Sequence, residues 1–281
     1  MNILLATIVI LGVTGLAGAL LLYATSRAFA TPPADPREDA IREALPGANC
    51  GACGLKGCSD FARECVARGN LDGLNCPSAG PEGMKRIAEI LGVANEATDT
   101  PVAVLHCSGS CSARPRPHLY DGARSCAVMA STGIGTSGCA WGCLGCGDCV
   151  SVCKFGALSM DKETGLPVID PEKCTGCGVC AGECPRKLIE LRPRGRRDRR
   201  VWVSCSSRDK GATARKVCSA ACIGCGKCAR TCPFEAITIS DNLAYINPEA
   251  CKACGKCITV CPTGAIHATF SPVVKNETQE L

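Results

Sequence analysis

The sequence predicts an α+β protein made of small domains that are organised around clusters of cysteine side chains. Its 281 residues include 27 Cys, but only two Trp, three Tyr and five Phe. A domain of ordinary type needs more large apolar side chains to fill its core. Cysteine at this density indicates either a disulfide framework or metal binding, and the spacing of the cysteines decides between them. The formal net charge of +5 is mild and indicates neither nucleic acid nor an acidic substrate.

The N-terminal segment predicts a membrane anchor over residues 1–30. Residues 3–23 carry no charge and are rich in Leu, Ile, Val, Ala and Gly. A helix of this length rises roughly 31 Å, which matches a bilayer core of about 30 Å. Arginines follow the apolar run, so the positive-inside rule places the bulk of the chain in the cytoplasm of a bacterium, behind a single-pass helix in its cytoplasmic membrane. A cleaved signal peptide is the alternative because residues 28–30 (AFA) resemble a cleavage site, although no basic residue precedes the apolar run.

A Pro-rich polar stretch (TPPADPRED) follows the anchor, and a linker is predicted over residues 31–44. Residues 45–95 are predicted to form a helical domain around one [4Fe–4S] cluster. Four cysteines would hold this cluster. Three lie in a loop that begins LPGANCGACG, and the fourth lies further along the chain, directly before a proline. A tetrahedral zinc site suits four cysteines as well, so zinc stays open for this group taken alone. The four residues, called the Cys50 set below, are Cys50, Cys53, Cys58 and Cys76.

The strongest signal is a C-x2-C-x2-C-x3-C spacing that occurs four times. Bacterial two-cluster ferredoxins have this spacing, with three thiolates of a run on one [4Fe–4S] cluster and the fourth on the neighbouring cluster. Neighbouring cysteines in such a run are poorly placed to form disulfides with each other. Three runs end in Cys-Pro, whereas Lys154 follows the last cysteine of the first run. The runs begin at Cys143, Cys174, Cys222 and Cys251.

Crossing of the fourth ligand predicts four ligand sets, each named by its first member. Two belong to a ferredoxin-like two-cluster unit over residues 139–192 and two to a second unit over residues 218–270. Short strands are expected to pair across each couple of clusters. With the Cys50 set, five clusters are expected. The sets are the Cys143 set (Cys143, Cys146, Cys149, Cys184), the Cys174 set (Cys174, Cys177, Cys180, Cys153), the Cys222 set (Cys222, Cys225, Cys228, Cys261) and the Cys251 set (Cys251, Cys254, Cys257, Cys232).

Seven cysteines stay outside these sets. Cys65 follows Phe61 by one helical turn and is expected to pack rather than to ligate. A sixth cluster could use four of the others, although they form no compact motif. The alternatives are packing as small buried side chains and, for Cys139, competition for the cluster of the Cys143 set. These six are Cys107, Cys111, Cys126, Cys139, Cys205 and Cys218.

Three segments connect or end the predicted domains. Residues 96–138 are a connecting region that contains cysteines, residues 193–217 a basic loop and connector, and residues 271–281 a tail. The run RPRGRRDRR over residues 192–200 is interpreted as a solvated loop, with a docking patch for an acidic electron carrier as the alternative. No aromatic residue interleaves these arginines, so nucleic acid is not an expected partner.

The order of these features resembles the B subunit of the Rnf complex, an ion-translocating ferredoxin:NAD oxidoreductase. The features are the apolar N-terminal helix, the LPGANCGACG loop with Cys58 and Cys76, and the ferredoxin-type runs; two such units match a long version of this protein. The resemblance implies an iron–sulfur protein that accepts electrons from reduced ferredoxin and relays them toward NAD reduction coupled to Na⁺ or H⁺ translocation. It implies the other membrane and cytoplasmic subunits as partners.

Two further functions compete with this interpretation. The same domains would serve a membrane-tethered iron–sulfur donor to another acceptor, such as a redox sensor or a reductase. A zinc-binding scaffold is disfavoured by four successive ferredoxin-type runs. The sequence has no nucleotide-binding glycine motif and no flavin signature, so no catalytic residue is predicted, and the NAD and flavin sites are expected on other subunits.

Overall fold

The structure, a computed structural model, describes residues 3–28, 35–94, 100–133 and 135–272. The end of the candidate cleavage motif and the start of the predicted linker, residues 29–34, lie outside the described residues. So does most of the predicted tail, residues 273–281.

The N-terminal helix α1 spans Ile3–Ala28, and the only charged side chain among these residues is Arg27 in its last turn. Its large apolar side chains from residue 11 to residue 23 are exposed, with Leu16 at 66% and Leu22 at 71% of the full exposure. Over the residues that the structure describes, no helix is both long and apolar enough to qualify as a membrane span.

Three helices build the domain around the Cys50 set: α2 (Pro36–Ala44), α3 (Cys58–Arg68) and α4 (Gly80–Leu91). The prediction of a linker up to residue 44 is therefore wrong over α2. The carboxylate of Asp35 accepts a hydrogen bond from the Arg37 amide at 2.9 Å and caps this helix. Ile41 is fully buried in a core shared with Phe61 and Ile87, and this burial holds α2 against the domain.

The first ferredoxin-like unit contains two antiparallel strand pairs. Its elements are β1 (Val102–Leu105), α5 (Cys126–Thr132), α6 (Asp148–Ser151), β2 (Leu158–Met160), β3 (Pro167–Ile169), α7 (Val179–Glu183) and β4 (Ile189–Arg192). Strands β2 and β3 pair within the unit, as predicted. Strand β4 pairs with β1, with Leu105 opposite Ile189, so the predicted connecting region supplies one strand of the unit.

The second unit repeats this arrangement. After a single 3₁₀ turn (Arg196–Asp198), its elements are β5 (Val201–Val203), α8 (Gly211–Val217), α9 (Lys227–Thr231), β6 (Ile237–Ser240), β7 (Leu243–Ile246), α10 (Lys256–Thr259) and β8 (Ile266–Ala268). Strands β6 and β7 pair within the unit, and β8 pairs with β5 from the predicted connector. Each unit is thus completed by a strand that precedes its predicted boundary.

Cysteines form part of the apolar core in both units. In the first unit, Cys149, Cys174 and Cys180 pack with Val102, Leu158 and other small apolar side chains. In the second unit, Cys228 and Cys257 lie in the equivalent core. Short strands with few large side chains bury little apolar surface, so the groups that the cysteines bind are expected to contribute to folding.

A polar network centred on Glu190 of β4 joins the two units. Its carboxylate lies 2.6 Å from His106 Nε2 and accepts a hydrogen bond from the Tyr245 hydroxyl of β7 at 2.9 Å. Arg192 forms an ion pair with it at 3.2 Å. Burial alone would raise the pKa of Glu190, but these hydrogen bonds and the Arg192 charge lower it to about 2.

Candidate iron–sulfur sites

The four ferredoxin-type runs share one local backbone. Glycines flank the second cysteine of the first run with positive φ angles, 77° at Gly145 and 88° at Gly147. Such left-handed residues turn the chain twice within a few residues, so three thiols can face one centre. The third cysteine of each run, such as Cys149 on α6, is buried on a helix of one turn or slightly more.

The Cys222 set surrounds a single cavity. All four of its cysteines line this space. Cys261 comes from the other run of the unit, so the backbone brings the crossed fourth thiol to the three local ones. The wall is otherwise largely apolar, with Val203, Ile239 and Ile266.

Three members of the Cys143 set line a similar cavity: Cys143, Cys149 and the crossed Cys184. Cys126 lines it too and lies beside Cys146: burial first, and then Cys126, raise the pKa of the Cys146 thiol to about 11. The carboxylate of Asp148 accepts hydrogen bonds from the Ser125 hydroxyl and the Ala127 amide, which fixes this fifth thiol at the cavity.

The thiols of the two remaining sets of the ferredoxin-like units, the Cys174 set and the Cys251 set, also lie near one another. Burial, followed by the neighbouring thiols of Cys174, Cys177 and Cys153, raises the pKa of Cys180 to about 11. All four members of the Cys174 set therefore lie close together. Burial, followed by Cys254 and Cys232, likewise raises the pKa of Cys251.

The Cys50 set lies beside the core of the three-helix domain, with Cys76 buried in that core and Cys53 and Cys58 packed against it. Burial, opposed by backbone hydrogen bonds, and then Cys53 and Cys50 raise the pKa of Cys76. Cys58 begins α3, and its amide donates a hydrogen bond to Asn49 Oδ1 at 2.8 Å, which ties the helix to the loop. Cys65 is fully buried in the core of the domain.

The chemistry of these thiols fits [4Fe–4S] clusters. Burial is the main reason that the pKa of Cys143 and of Cys257 rises to about 12, so without a cation both would be protonated near neutral pH. Iron binds thiolate and displaces the proton. In a cubane each thiolate binds a different iron, and the cluster carries single electrons. Among the described residues, no group of three His, Cys, Asp or Glu side chains could hold a single metal ion.

Neighbouring sets lie close to one another. In the first unit, burial and then nearby thiols, including Cys180 of the other set, raise the pKa of the Cys149 thiol, and in the second unit Cys257 likewise lies near Cys228. Cys177 lies near Cys50, and the Lys154 ammonium donates a hydrogen bond to the Ala48 carbonyl at 2.5 Å. Tunnelling between clusters needs such proximity, so the sets are arranged for electron transfer.

The remaining cysteines divide into three groups. Four of them line one further cavity between the units: Cys107, Cys139, Cys205 and Cys218. Cys126 lies at the Cys143 set, and Cys111 is exposed. Cys139 thus lies with this new group, whereas Cys126 occupies the position at the Cys143 set that the sequence suggested for Cys139. The sequence showed no compact motif for this gathering because its members come from four separate segments.

The arginine run borders an open cavity beside Cys251. Arg192 and Arg200 are buried and pair with Glu190 and Asp198, so the solvated-loop interpretation does not hold for them. Arg196, Arg197 and Arg199 are exposed, and Lys252 lies on the same cavity. The cavity therefore presents positive charge next to one of the predicted cluster sites.

Ferredoxin-like units with gathered cysteine sets define an iron–sulfur electron-transfer protein. The comparisons with known families agree with this class. Residues 142–188 and 221–265 match the family described as "4Fe-4S dicluster domain". Residues 45–78 match a family described as an Fe–S cluster.

Similar proteins identify the family within this class. The chain is 41% identical, over 88% of its length and 72% of the relative, to the B subunit of the Na⁺-translocating ferredoxin:NAD⁺ oxidoreductase complex of Acetobacterium woodii. It is 35% identical, over 88% of its length and 85% of the relative, to the proton-translocating counterpart from Clostridium ljungdahlii. It is 37% identical, over 88% of its length and 92% of the relative, to the B subunit of an ion-translocating oxidoreductase complex of Methanosarcina acetivorans. The chain belongs to the family of Rnf complex B subunits, as the sequence predicted.

Proposed function

We propose that this chain carries electrons from reduced ferredoxin toward NAD reduction in a membrane complex that translocates Na⁺ or H⁺. One observation supports it above the others: neighbouring cysteine sets lie close together within each ferredoxin-like unit, with the basic cavity beside one set of the second unit and the three-helix domain beside one set of the first. The Cys251 set lies at the basic cavity, and the Cys50 set lies next to the Cys174 set. The family membership agrees with electron transfer between ferredoxin and NAD.

Each of the five sets binds one [4Fe–4S] cluster in this proposal, with the fourth ligands of the ferredoxin-like units crossed. The support is the gathering of each set, including Cys184 and Cys261 from the distant run. When bound, the clusters supply one-electron redox chemistry. The chain itself supplies the thiolates, the apolar walls that limit solvent access, and the spacing between the sites.

Reduced ferredoxin docks at the basic cavity in this proposal. The exposed guanidinium groups of Arg196, Arg197 and Arg199 and the ammonium of Lys252 present one sign of charge beside Cys251. Positive charge in such a cleft steers a negatively charged partner and raises the association rate. The two buried arginines hold the loop, and the exposed ones face the partner.

Helix α1 anchors the chain in the cytoplasmic membrane in this proposal, as a single-pass helix with the cluster domains on the cytoplasmic side. Support comes from the uncharged stretch over residues 3–23 and from apolar side chains such as Leu16 and Leu22 that are exposed to water in the isolated chain. Such a surface is stable only when lipid or other subunits cover it. The remaining subunits of the complex, which carry the NAD and flavin sites, are the partners.

Stopped-flow mixing of reduced ferredoxin with the anaerobically purified full chain tests the docking and the electron transfer. The clusters should bleach as they accept electrons, and the rate should fall steeply with salt because exposed charges are screened beyond about 10 Å at 0.1 M. The triple variant R196S/R197S/K252S should lower the low-salt rate roughly tenfold and flatten the salt dependence.

A charge-matched control separates docking from net charge. The variant R63S/K85S/R86S removes three positive charges from exposed positions of α3 and α4 and should keep the wild-type rate. Equal behaviour of the two triple variants would reject the basic cavity as the docking site. A chain that holds its clusters but accepts no electrons from reduced ferredoxin would reject the proposed function itself.

A further inference from the structure

Four cysteines outside the five predicted sets surround a cavity between the ferredoxin-like units. They are Cys107, Cys139, Cys205 and Cys218. This cavity has about the same volume as the cavities of the Cys222 and Cys143 sets. Cys107, Cys139 and Cys218 are less than one-tenth exposed. The cavity therefore resembles the predicted cluster sites in its size, its burial and its number of thiols.

The internal repeat places these cysteines in equivalent positions. Cys107 follows β1 by two residues, and Cys205 follows β5 by two residues. Cys139 precedes the first cysteine of its unit by four residues, and so does Cys218. Each unit thus contributes two thiols from matching positions, and the cavity lies where the two repeats meet.

Hydrogen bonds also follow the repeat. The amide before Cys107 donates to the Leu188 carbonyl at 2.7 Å, and the amide before Cys205 donates to the Ala265 carbonyl at 2.7 Å. The Ser108 amide bonds to the Ser204 carbonyl at 2.9 Å and joins the two segments directly. Backbone bonds thus fix the segments of Cys107 and Cys205 relative to each other.

A buried arginine points to an anionic occupant of this cavity. Arg114 lines it and is only 1% exposed. Its Nη2 donates to the Cys143 carbonyl at 2.5 Å, while its Nε and Nη1 have no hydrogen-bond partner among the described residues. Gly142 has no side chain, and the Arg114 guanidinium occupies the space that a side chain would fill there, beside Cys139. A buried cation with unsatisfied donors is costly unless a negative group accepts its hydrogen bonds.

We propose that Cys107, Cys139, Cys205 and Cys218 bind a sixth [4Fe–4S] cluster, with Arg114 donating hydrogen bonds to its sulfur atoms. Four thiolates and four sulfides around four irons give a net negative group, which matches the charge of Arg114. Four Fe–S(Cys) bonds form on assembly, and the four thiol protons pass to solvent.

The site lies between clusters of the two units. The Cys143 amide donates a hydrogen bond to the Cys107 sulfur at 3.4 Å, and Cys205 lies next to Cys222. A cluster here would take one electron from the Cys222 cluster, which is thereby oxidised, and pass it to the Cys143 cluster, which is reduced. The sixth cluster then connects the two ferredoxin-like units.

Iron and sulfide content of the anaerobically reconstituted full chain tests this proposal without any activity assay. The wild type should hold about 24 iron atoms, against about 20 for five clusters. The variants Cys107→Ala and Cys205→Ala should each lose about four irons, one-sixth of the total. Cys111→Ala, an exposed cysteine of the same region, is the matched control and should keep the full content.

A second variant keeps the proposal testable if the cysteine variants fold poorly. Arg114→Gln retains hydrogen-bond donors but loses the charge that favours the reduced, more negative cluster. It should keep about 24 irons and shift one redox-titrated EPR signal to a more negative potential, leaving the others unchanged. A wild type with about 20 irons, one zinc atom at the site, or an Arg114→Gln variant with unchanged titration would overturn the proposal.

Discussion

At the scale of single residues, the thiols combine burial with crowding by other thiols. Burial is the main reason that the pKa of Cys143, Cys149 and Cys257 rises to about 12, so each would be neutral without iron. Such a group is stable as thiolate only with a cation beside it. The C-x2-C-x2-C-x3-C spacing predicted which residues these are. The spacing could not reveal that Cys126 lies beside Cys146, because its position depends on Asp148 and on the start of α5.

The crossed ligand sets predict which substitutions affect the same cluster. Cys184→Ser and Cys146→Ser should alter one cluster signal, although the residues lie in different runs. Cys177→Ser should alter another signal, although it shares a run with Cys184, because loss of a thiolate mainly shifts the potential of its own cluster. Redox-titrated EPR of the full chain distinguishes these outcomes. If Cys184→Ser and Cys177→Ser perturb the same signal, each run holds its own cluster and the crossed sets are wrong.

Glu190 is a second residue with a specific expected effect. Glu190→Gln leaves Arg192 buried without its counter-charge and should lower the free energy of unfolding by about 1–3 kcal/mol. The folded pKa of about 2 lies below the ordinary value of 4.5, so the carboxylate stabilises the fold above pH 4.5 and loses this effect as the pH falls toward 2.

The difference between wild type and Glu190→Gln should therefore shrink as the pH falls from 4.5 toward 2. Anaerobic thermal unfolding at several pH values measures it. The exposed Glu249→Gln is the control and should match the wild type. A difference that does not shrink below pH 4.5 would contradict the assigned network.

At the scale of elements, the sequence predicted the strand pairs that form between segments close together in the chain. The hairpins β2–β3 and β6–β7 were expected because each closes within one ferredoxin-like unit. Strands β1 and β5 were missed because their partner strands are distant in the sequence. Residues of β1 pair with residues at least 84 positions later, and residues of β5 pair with residues at least 63 positions later, so no local pattern indicates either pair. Helix α2 was missed because the proline and aspartate that suggested a linker serve as its first residue and its cap.

The proposed insertion of helix α1 into the membrane gives a testable prediction. If residues 3–23 lie in the bilayer, the full chain should stay in washed membranes through high salt and carbonate, because burial of its apolar side chains does not depend on charge. Deletion of residues 1–30 should release a soluble brown protein with the same iron content per chain. Recovery of a mature chain that begins at Thr31 would contradict the anchor and indicate a cleaved signal.

At the scale of the whole molecule, the relative position of the cysteine sets carries the function. The sequence predicted five sets and the family, yet it could not predict that the Cys50 set lies beside Cys177 or that four further cysteines meet between the units. These arrangements depend on packing between domains, such as the Lys154–Ala48 contact and the Glu190 network. In the proposed function they connect separate cluster sites into a continuous series.

Freeze-quench EPR after mixing with reduced ferredoxin tests this series most directly. The signal of the Cys251 cluster should appear first and that of the Cys50 cluster last, because the basic cavity adjoins the former. Cys177→Ser, which alters the neighbour of the Cys50 cluster, should leave the first signal unchanged and delay the last one. Appearance of the Cys50 signal first, or its undelayed appearance in Cys177→Ser, would contradict electron relay through the chain in this direction.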